Sequence, residues 1–395
     1  MSKWQQVKLK DICTVTSSKR FHLSERTDIG IPFYCSKEII KKESGEKITE
    51  CDFIPTNIYN AIAEKYGVPQ PGDILLTTRG SIGVPYLYKS GDCFYFADGN
   101  LTWLKNFNKL SLPHFLYYWF KSYIGFGKIN AIAKGTAQKA VPIAEIKNIE
   151  LELPPIEVQR KIADVLSAYD DLIENNRKQI KLLEEAAQRL YKEWFIDLRF
   201  PGHETTPIID GIPAGWRRGS IIDISVCFDG KRIPLSMSER NNQNKIYPYY
   251  GAASLMDYVE DYIFDGIYLL FGEDGTVISR DGSPILQYVW GKFWVNNHAH
   301  IFQGTSCFST EFLYMLCKHL NVSDVVTGVA QPKISQGRLN AKKILIPQKN
   351  LVLKYTNVTK EMFKAIRLYT DQIILLTETR NRLLPKLMTG ELEVE

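Results

Sequence analysis

The sequence predicts an α+β fold: two mixed α/β globules in tandem repeat, each followed by one long helix. Two observations carry that prediction. The pattern Gly-x-Ala-Gln begins at Gly135 in "KGTAQKAVPI" and again at Gly328 in "TGVAQPKISQ", 193 residues later (328 − 135). The segments that follow, from about residues 156 and 351, carry almost no Gly or Pro and repeat apolar residues every seven positions. Self-similarity at one long period reports a duplicated architecture.

The offset holds along the chain. "LELPPIEVQ" (151–159) lies over "ILIPQKNLV" (344–352), Leu182-Leu183 over Leu375-Leu376, and Arg189-Leu190 over Arg382-Leu383, all without a gap. Upstream, with small shifts, "GDILLTTRGSIG" (72–83) matches "DGIYLLFGEDGTV" (265–277), and "PHFLYYWF" (113–120) matches "TEFLYMLC" (310–317). The starts agree too, "WQQVKLKDICTV" from Trp4 against "WRRGSIIDISVC" from Trp216. In the first globule "GDILLTT", "CFYFA" and "LTWLKN" read as strands, and "LPHFLYYWFKS" reads as a helix. The resulting domains are 1–153, a globule; 154–200, a central helix; 201–346, a second globule; and 347–395, a distal helix with a short tail.

The helical periodicity has a definite seam. Leu166, Ile173, Ile180, Ala187 and Trp194 form one seven-residue series, and Ile162, Tyr169, Asn176, Leu183 and Leu190 form the second. The later helix repeats it with Thr359, Ile366, Ile373, Arg380 and Leu387, and with Tyr355, Met362, Tyr369, Leu376 and Leu383. Two helices of matching length that each hide an a/d stripe most simply pack on each other. Packing of each helix on its own globule is the alternative. Asn176 is polar inside the seam; buried, it fixes register, and exposed, it marks where the seam opens.

Bulk properties set the class. The 395 residues are 45% hydrophobic and 12% aromatic, which is globular composition. No apolar run approaches membrane-spanning length and "MSKWQQVKLK" lacks a leader's apolar stretch, so the expected location is the cytosol. Seven cysteines without a C-x-x-C pair read as reduced, mostly buried thiols. The net charge of +5 is uneven: residues 1–150 hold 20 Lys and Arg against 14 Asp and Glu, whereas residues 201–350 hold 14 of each. The first block has the charge of a polyanion-binding surface, although a Lys excess also serves solubility.

Catalytic signatures are missing. "GFGKIN" lacks the glycines and the Ser/Thr of a phosphate-cradling loop, and there is no G-x-S-x-G, H-E-x-x-H or metal-spaced His/Cys group. His298 and His300 in "NNHAH" have no counterpart in the matching "ADGNL", so both read as strand or loop histidines rather than metal ligands. The expectation is a chain with neither catalytic nor metal-binding residues and no cofactor of its own. Two globules on two helices suit recognition of two things at a set separation.

Nucleic acid fits the loops. Thr77, Thr78, Arg79, Gly80 and Ser81 offer hydroxyls, amides and a guanidinium, groups suited to phosphate oxygens and a guanine edge. An ordinary glycine-turned hairpin is the competing reading. The second copy substitutes Glu273, Asp274 and Thr276, whose carboxylates suit a cytosine amine. Lys134, Thr136, Gln138 and Lys139, with Gln331 and Lys333, can hold the DNA backbone or an adenine edge, or merely orient globule on helix.

The order "GDILLTTRGSIG", "GTAQKAVP", "ELPPIEVQRKIADVLSAYDDLIENN", "LLEEAAQRLYKEWF" and "RNRLLPKLMTGELEVE" resembles the specificity subunit of type I restriction-modification enzymes over essentially the whole chain. The resemblance implies that each globule is a target recognition domain reading one half of a bipartite, asymmetric site on double-stranded DNA. It implies an antiparallel coiled coil that sets the unread spacer, held by Leu166, Tyr169, Ile173, Asn176, Ile180, Leu183, Leu190, Ile366, Tyr369, Ile373, Leu376 and Leu383. Two modification subunits would dock on its flanks and bind S-adenosylmethionine, and restriction subunits would bring ATP and Mg. One departure stands out: Pro155, Glu157 and Gln159 become Gln348, Asn350 and Val352, which implies two unequal docking surfaces. A non-catalytic coiled-coil scaffold joining two protein partners without reading DNA is the alternative.

Overall fold

A computed structural model describes residues 4–135, 139–328 and 331–394. The chain forms two compact units, Met1–Glu174 with Ile374–Glu395, and Asn175–Ile373. Each holds one globule and part of both long helices.

In the first unit, strands Thr14–Thr16, Leu101–Lys105, Ile74–Thr77 and Pro85–Leu87 form an antiparallel sheet in that spatial order. "ILLT" is apolar without alternation because both faces of its strand are covered. Ile74 and Leu76 pack with Phe115, Leu116 and Phe120 of helix Pro113–Lys121, while Leu75 packs with Tyr86, Phe96 and Trp103 on the other face. A second sheet places Ile31–Tyr34 between Asp52–Ile54 and a parallel partner, Tyr95–Phe96.

The second unit repeats this order in one sheet: Ser225–Cys227, Ala299–Gly304, Phe264–Gly272, Leu286–Val295, Tyr247–Tyr250 and Leu255–Val259. Leu286–Val295 does the work of two first-unit strands. Its residues Leu286–Phe293 pair antiparallel with Phe264–Phe271, as Pro85–Leu87 pairs with Ile74–Leu76. Its end lies parallel to Tyr249 and Tyr250, as Tyr95–Phe96 lies parallel to Phe33 and Tyr34. In the first copy the strand is interrupted by the Ser90-Gly91 turn.

Both globules close in the same way. Gln5–Lys8 pairs antiparallel with Glu150–Leu153, and Arg217–Ser220 pairs antiparallel with Lys343–Ile346. The chain then turns directly into helix Ile156–Tyr191 or helix Lys349–Met388. Prolines 154 and 155 suit the first start, where backbone N–H groups have no helical partner anyway. Gln159 is fully buried there: its Oε1 accepts from the Leu112 amide at 2.8 Å, and its Nε2 donates to the carbonyls of Leu110 and Pro154 at 2.8 and 2.9 Å. Its counterpart Val352 is equally buried among apolar side chains. The Gln159-to-Val352 departure therefore changes how helix seats on globule, by hydrogen bonds in one copy and by apolar packing in the other, and lies on no outer docking surface.

The helices pair antiparallel. In the first unit Ile162 and Leu166 share a core with Leu384, Leu387 and Met388; in the second, Ala187 and Tyr191 share one with Leu351, Val352 and Tyr355. Tyr355 Oη also donates to the Ala187 carbonyl at 3.0 Å. The seam residues Leu166, Ile173, Asn176 and Ile366 are buried, and Tyr169, Ile180, Leu183, Leu190, Tyr369, Ile373, Leu376 and Leu383 are half-buried. Between them Leu172, Leu182 and Leu375 are exposed, as a seven-residue seam requires. Arg380, a charged seam position, pairs with Asp170.

The cysteines are all free thiols, but only Cys13 and Cys317 are buried. Burial pushes these two up to about 12. Cys35, Cys51, Cys227 and Cys307 are half-buried and Cys93 is exposed, because they sit at strand ends and turns rather than in core positions. Among the described residues no helix is long and apolar enough to cross a membrane.

Candidate functional site

Strand Ile74–Thr77 runs into a turn whose backbone is tied down on two sides. The Thr78 amide donates to the Asn100 carbonyl at 2.9 Å, the Val141 amide donates to the Thr78 carbonyl at 2.9 Å, and the Gly80 amide donates to the Lys139 carbonyl at 3.1 Å. Lys134 and Ala140, on either side of the Gly-x-Ala-Gln segment, exchange amide–carbonyl bonds of 2.8 and 2.9 Å. Ser36 Oγ adds bonds to the carbonyls of Asn100 (3.1 Å) and Arg79 (3.3 Å).

The second unit makes the same three backbone bonds. Glu273 donates to the His298 carbonyl at 2.8 Å, Ile334 to the Glu273 carbonyl at 2.8 Å, and Gly275 to the Pro332 carbonyl at 3.1 Å. Val326 and Thr327 pair with Ile334 and Lys333 to close that loop. Gly135 and Gly328 both have left-handed backbone, φ +100° and +83°. A Cβ at Gly328 would lie 2.4 Å from the Gln331 carbonyl oxygen, so this position admits nothing larger than glycine.

On this shared backbone the side chains differ. Arg79, Gly80 and Ser81 are exposed, and so are Thr276 and Gln331. Among the described residues the side chains of Arg79 and Lys139 have no hydrogen bond or ion pair. Lys134 Nζ pairs with Glu145 at 2.8 Å. Thr136 and Gln138 lie outside the described residues. Thr77 and Thr78 are buried, contrary to the expectation that their hydroxyls meet phosphate. Thr77 points into the globule, where its Oγ1 accepts from the Val84 amide at 2.9 Å.

Glu273 is likewise turned inward and does not present its carboxylate to a base amine. Its Oε2 takes Arg232 Nη1 at 2.6 Å and its Oε1 takes Lys333 Nζ at 3.2 Å. Beside it, His300 bridges Asp229 Oδ2 (Nδ1, 2.5 Å) and the Ile334 carbonyl (Nε2, 2.8 Å), and the Ile301 amide donates to Asp229 Oδ1 at 2.9 Å. Burial pushes both carboxyls up, but their partners outweigh it and hold them below their ordinary values: His300, Ile301 and Arg232 for Asp229, and Arg232, His300 and Lys333 for Glu273. Asp229, Glu273 and His300 bring ligand-type atoms within 4.8 Å of one another, with Arg232 and Lys333 already engaging the carboxylates. The cluster ties the Glu273 turn to strands Ala299–Gly304 and Lys333–Ile334.

Neither Asp229 nor Arg232 stands out in the sequence as a site residue. The repeat held the one available signal: Lys19-Arg20 and Lys231-Arg232 occupy matching places, and Arg20 also meets an acid, Asp98, at 2.8 Å.

Residues 1–185 and 213–384 each match the family described as the type I restriction modification DNA specificity domain. The chain belongs to this family. It is a DNA-recognition subunit of the type I restriction-modification kind. A type I restriction enzyme MjaIX specificity subunit from Methanocaldococcus jannaschii is 28% identical over 426 residues, spanning 99% of this chain and 94% of the relative. A putative type I specificity subunit of Haemophilus influenzae, S.HindORF215P, is 31% identical over 140 residues, 35% of each chain. In fold, the chain is similar to the type I restriction-modification S subunit from M. genitalium, with a TM-score of 0.64 at 17% identity over 98% of this chain and 96% of that one. Each match to the specificity domain takes in one globule and one long helix, so the internal repeat is a repeat of that domain.

Proposed function

We propose that the two globules read the two halves of a bipartite, asymmetric DNA site, each through its pair of loops. One observation carries this reading: the same three backbone bonds hold Arg79 at the surface of one turn and Asp274 at the equivalent place of the other. A guanidinium donates to guanine O6 and N7, whereas an acid at the same place cannot, so one scaffold supports two different base edges. Exposed Lys139 and the basic balance of residues 1–150 supply backbone attraction on the first side.

The paired helices set the number of unread base pairs and offer their flanks to two modification subunits. Those subunits bind S-adenosylmethionine and methylate the DNA, and restriction subunits bring ATP and Mg for cleavage. This chain contributes recognition alone and works in the cytosol, where it meets DNA.

The test is to co-express the chain with its modification subunit, methylate a random-sequence DNA library and map the methylated positions. Two short motifs at one fixed gap are expected. DNA binding without preference, in an intact complex, would instead favour a scaffold that joins proteins.

A further inference from the structure

The geometry points to His298 as the base-reading side chain of the second globule, with Asp274 as the residue that positions it. The ligand is the exocyclic amine of adenine or cytosine. This rests on the reading above that the second globule recognises a half-site.

His298 is held at every point except one ring nitrogen. Its amide donates to Asn296 Oδ1 at 2.8 Å, its carbonyl accepts from the Glu273 amide at 2.8 Å, and its Nδ1 lies 2.6 Å from Asp274 Oδ1. Asn296 is buried, so the anchor beneath the ring is fixed. The imidazole itself is 48% exposed. Nε2 has no partner among the described residues. An exposed side chain with its backbone and one nitrogen already committed loses little freedom on binding.

The chemistry of the free nitrogen follows from the bound one. A carboxylate only accepts, so the proton of the neutral ring sits on Nδ1 and Nε2 keeps its lone pair. In the major groove the donors such an acceptor meets are adenine N6 and cytosine N4; guanine presents O6 and N7 and thymine O4, all acceptors. The adjacent Asp274 charge disfavours phosphate and favours the electropositive amine edge.

Neighbouring comparisons support the assignment. His300, two residues on, has both nitrogens occupied inside the protein and cannot read anything. In the first globule the residue accepting the equivalent backbone bond is Asn100, and the residue matching Asp274 is Arg79, so the acid–imidazole pair belongs to the second half-site alone.

The same methylated-library experiment tests this, with the first half-motif as an internal control for folding and assembly. His298→Ala should make a single position of the second half-motif degenerate, losing about tenfold in preference for adenine or cytosine. The first half-motif and the gap should not change. Asp274→Ala, which frees the ring without removing Nε2, should broaden that same position to a lesser degree. An unchanged second half-motif in His298→Ala, or weakening spread evenly over all its positions, would overturn the assignment while leaving the half-site reading intact. Absence of any bipartite motif with the unsubstituted chain would overturn both.

Discussion

Asn176 Nδ2 donates to Gln372 Oε1 at 3.1 Å within the helix pair of the second unit, from a seam position that is otherwise apolar. Asn176 is buried while Gln372 is exposed, so Gln372 can return to water if its partner is removed. Asn176→Leu should therefore stabilise the chain by on the order of 1 kcal/mol, read as a raised thermal midpoint.

Thr77 is a structural residue. Replacing it with Val keeps its shape but leaves the half-buried Val84 amide without its side-chain acceptor, at a cost of about 1 kcal/mol. Thr77→Val should lower the denaturation midpoint while the methylated motif stays unchanged. A shift in the motif without a stability loss would return Thr77 to the interface.

Arg79 and Lys139 should separate base reading from phosphate holding. Arg79→Ala should relax one position of the first half-site, at a discrimination loss of about 1–3 kcal/mol. Lys139→Ala should weaken all DNA alike and reduce the slope of log affinity against log salt by about 0.9. Binding isotherms at several salt concentrations distinguish the two.

The ion cluster around Glu273 gives a pH dependence with a definite sign. Asp229 and Glu273 are both held below their ordinary values in the folded chain. A depressed carboxyl contributes stability above its unfolded value and loses that contribution as pH falls through the folded one. Thermal midpoints should thus drop on acidification below about pH 4. Asp229→Asn and Glu273→Gln should each lower the midpoint at neutral pH and flatten that acid slope.

What was legible in the sequence is what periodicity encodes. The seven-residue series found the buried seam from Leu166 to Ile366, and the 193-residue offset found two globules whose loops share their hydrogen bonds. Orientation at the end of a doubly covered strand was not legible. In "ILLTT" no alternation shows which way Thr77 faces, and a single-residue shift reverses it. Pairings across long separations were also invisible: Arg232 meets Glu273 from 41 residues away and His300 meets Asp229 from 71. The lack of a matching histidine in the first copy argues against His298, yet comparing two copies reveals only what both share. Residues that make them read differently are, by that same test, the ones that do not match.

The pairing of Gln5–Lys8 with Glu150–Leu153, and of Arg217–Ser220 with Lys343–Ile346, sets the first and last residues of each globule one strand spacing apart, about 4.8 Å. A globule sewn shut at its own ends enters and leaves the helical framework at one point. A replacement globule bounded by the same two strands would meet the helix at the same place, but it would have to match the seat as well: acceptors and donors for Gln159 in the first copy, an apolar socket for Val352 in the second.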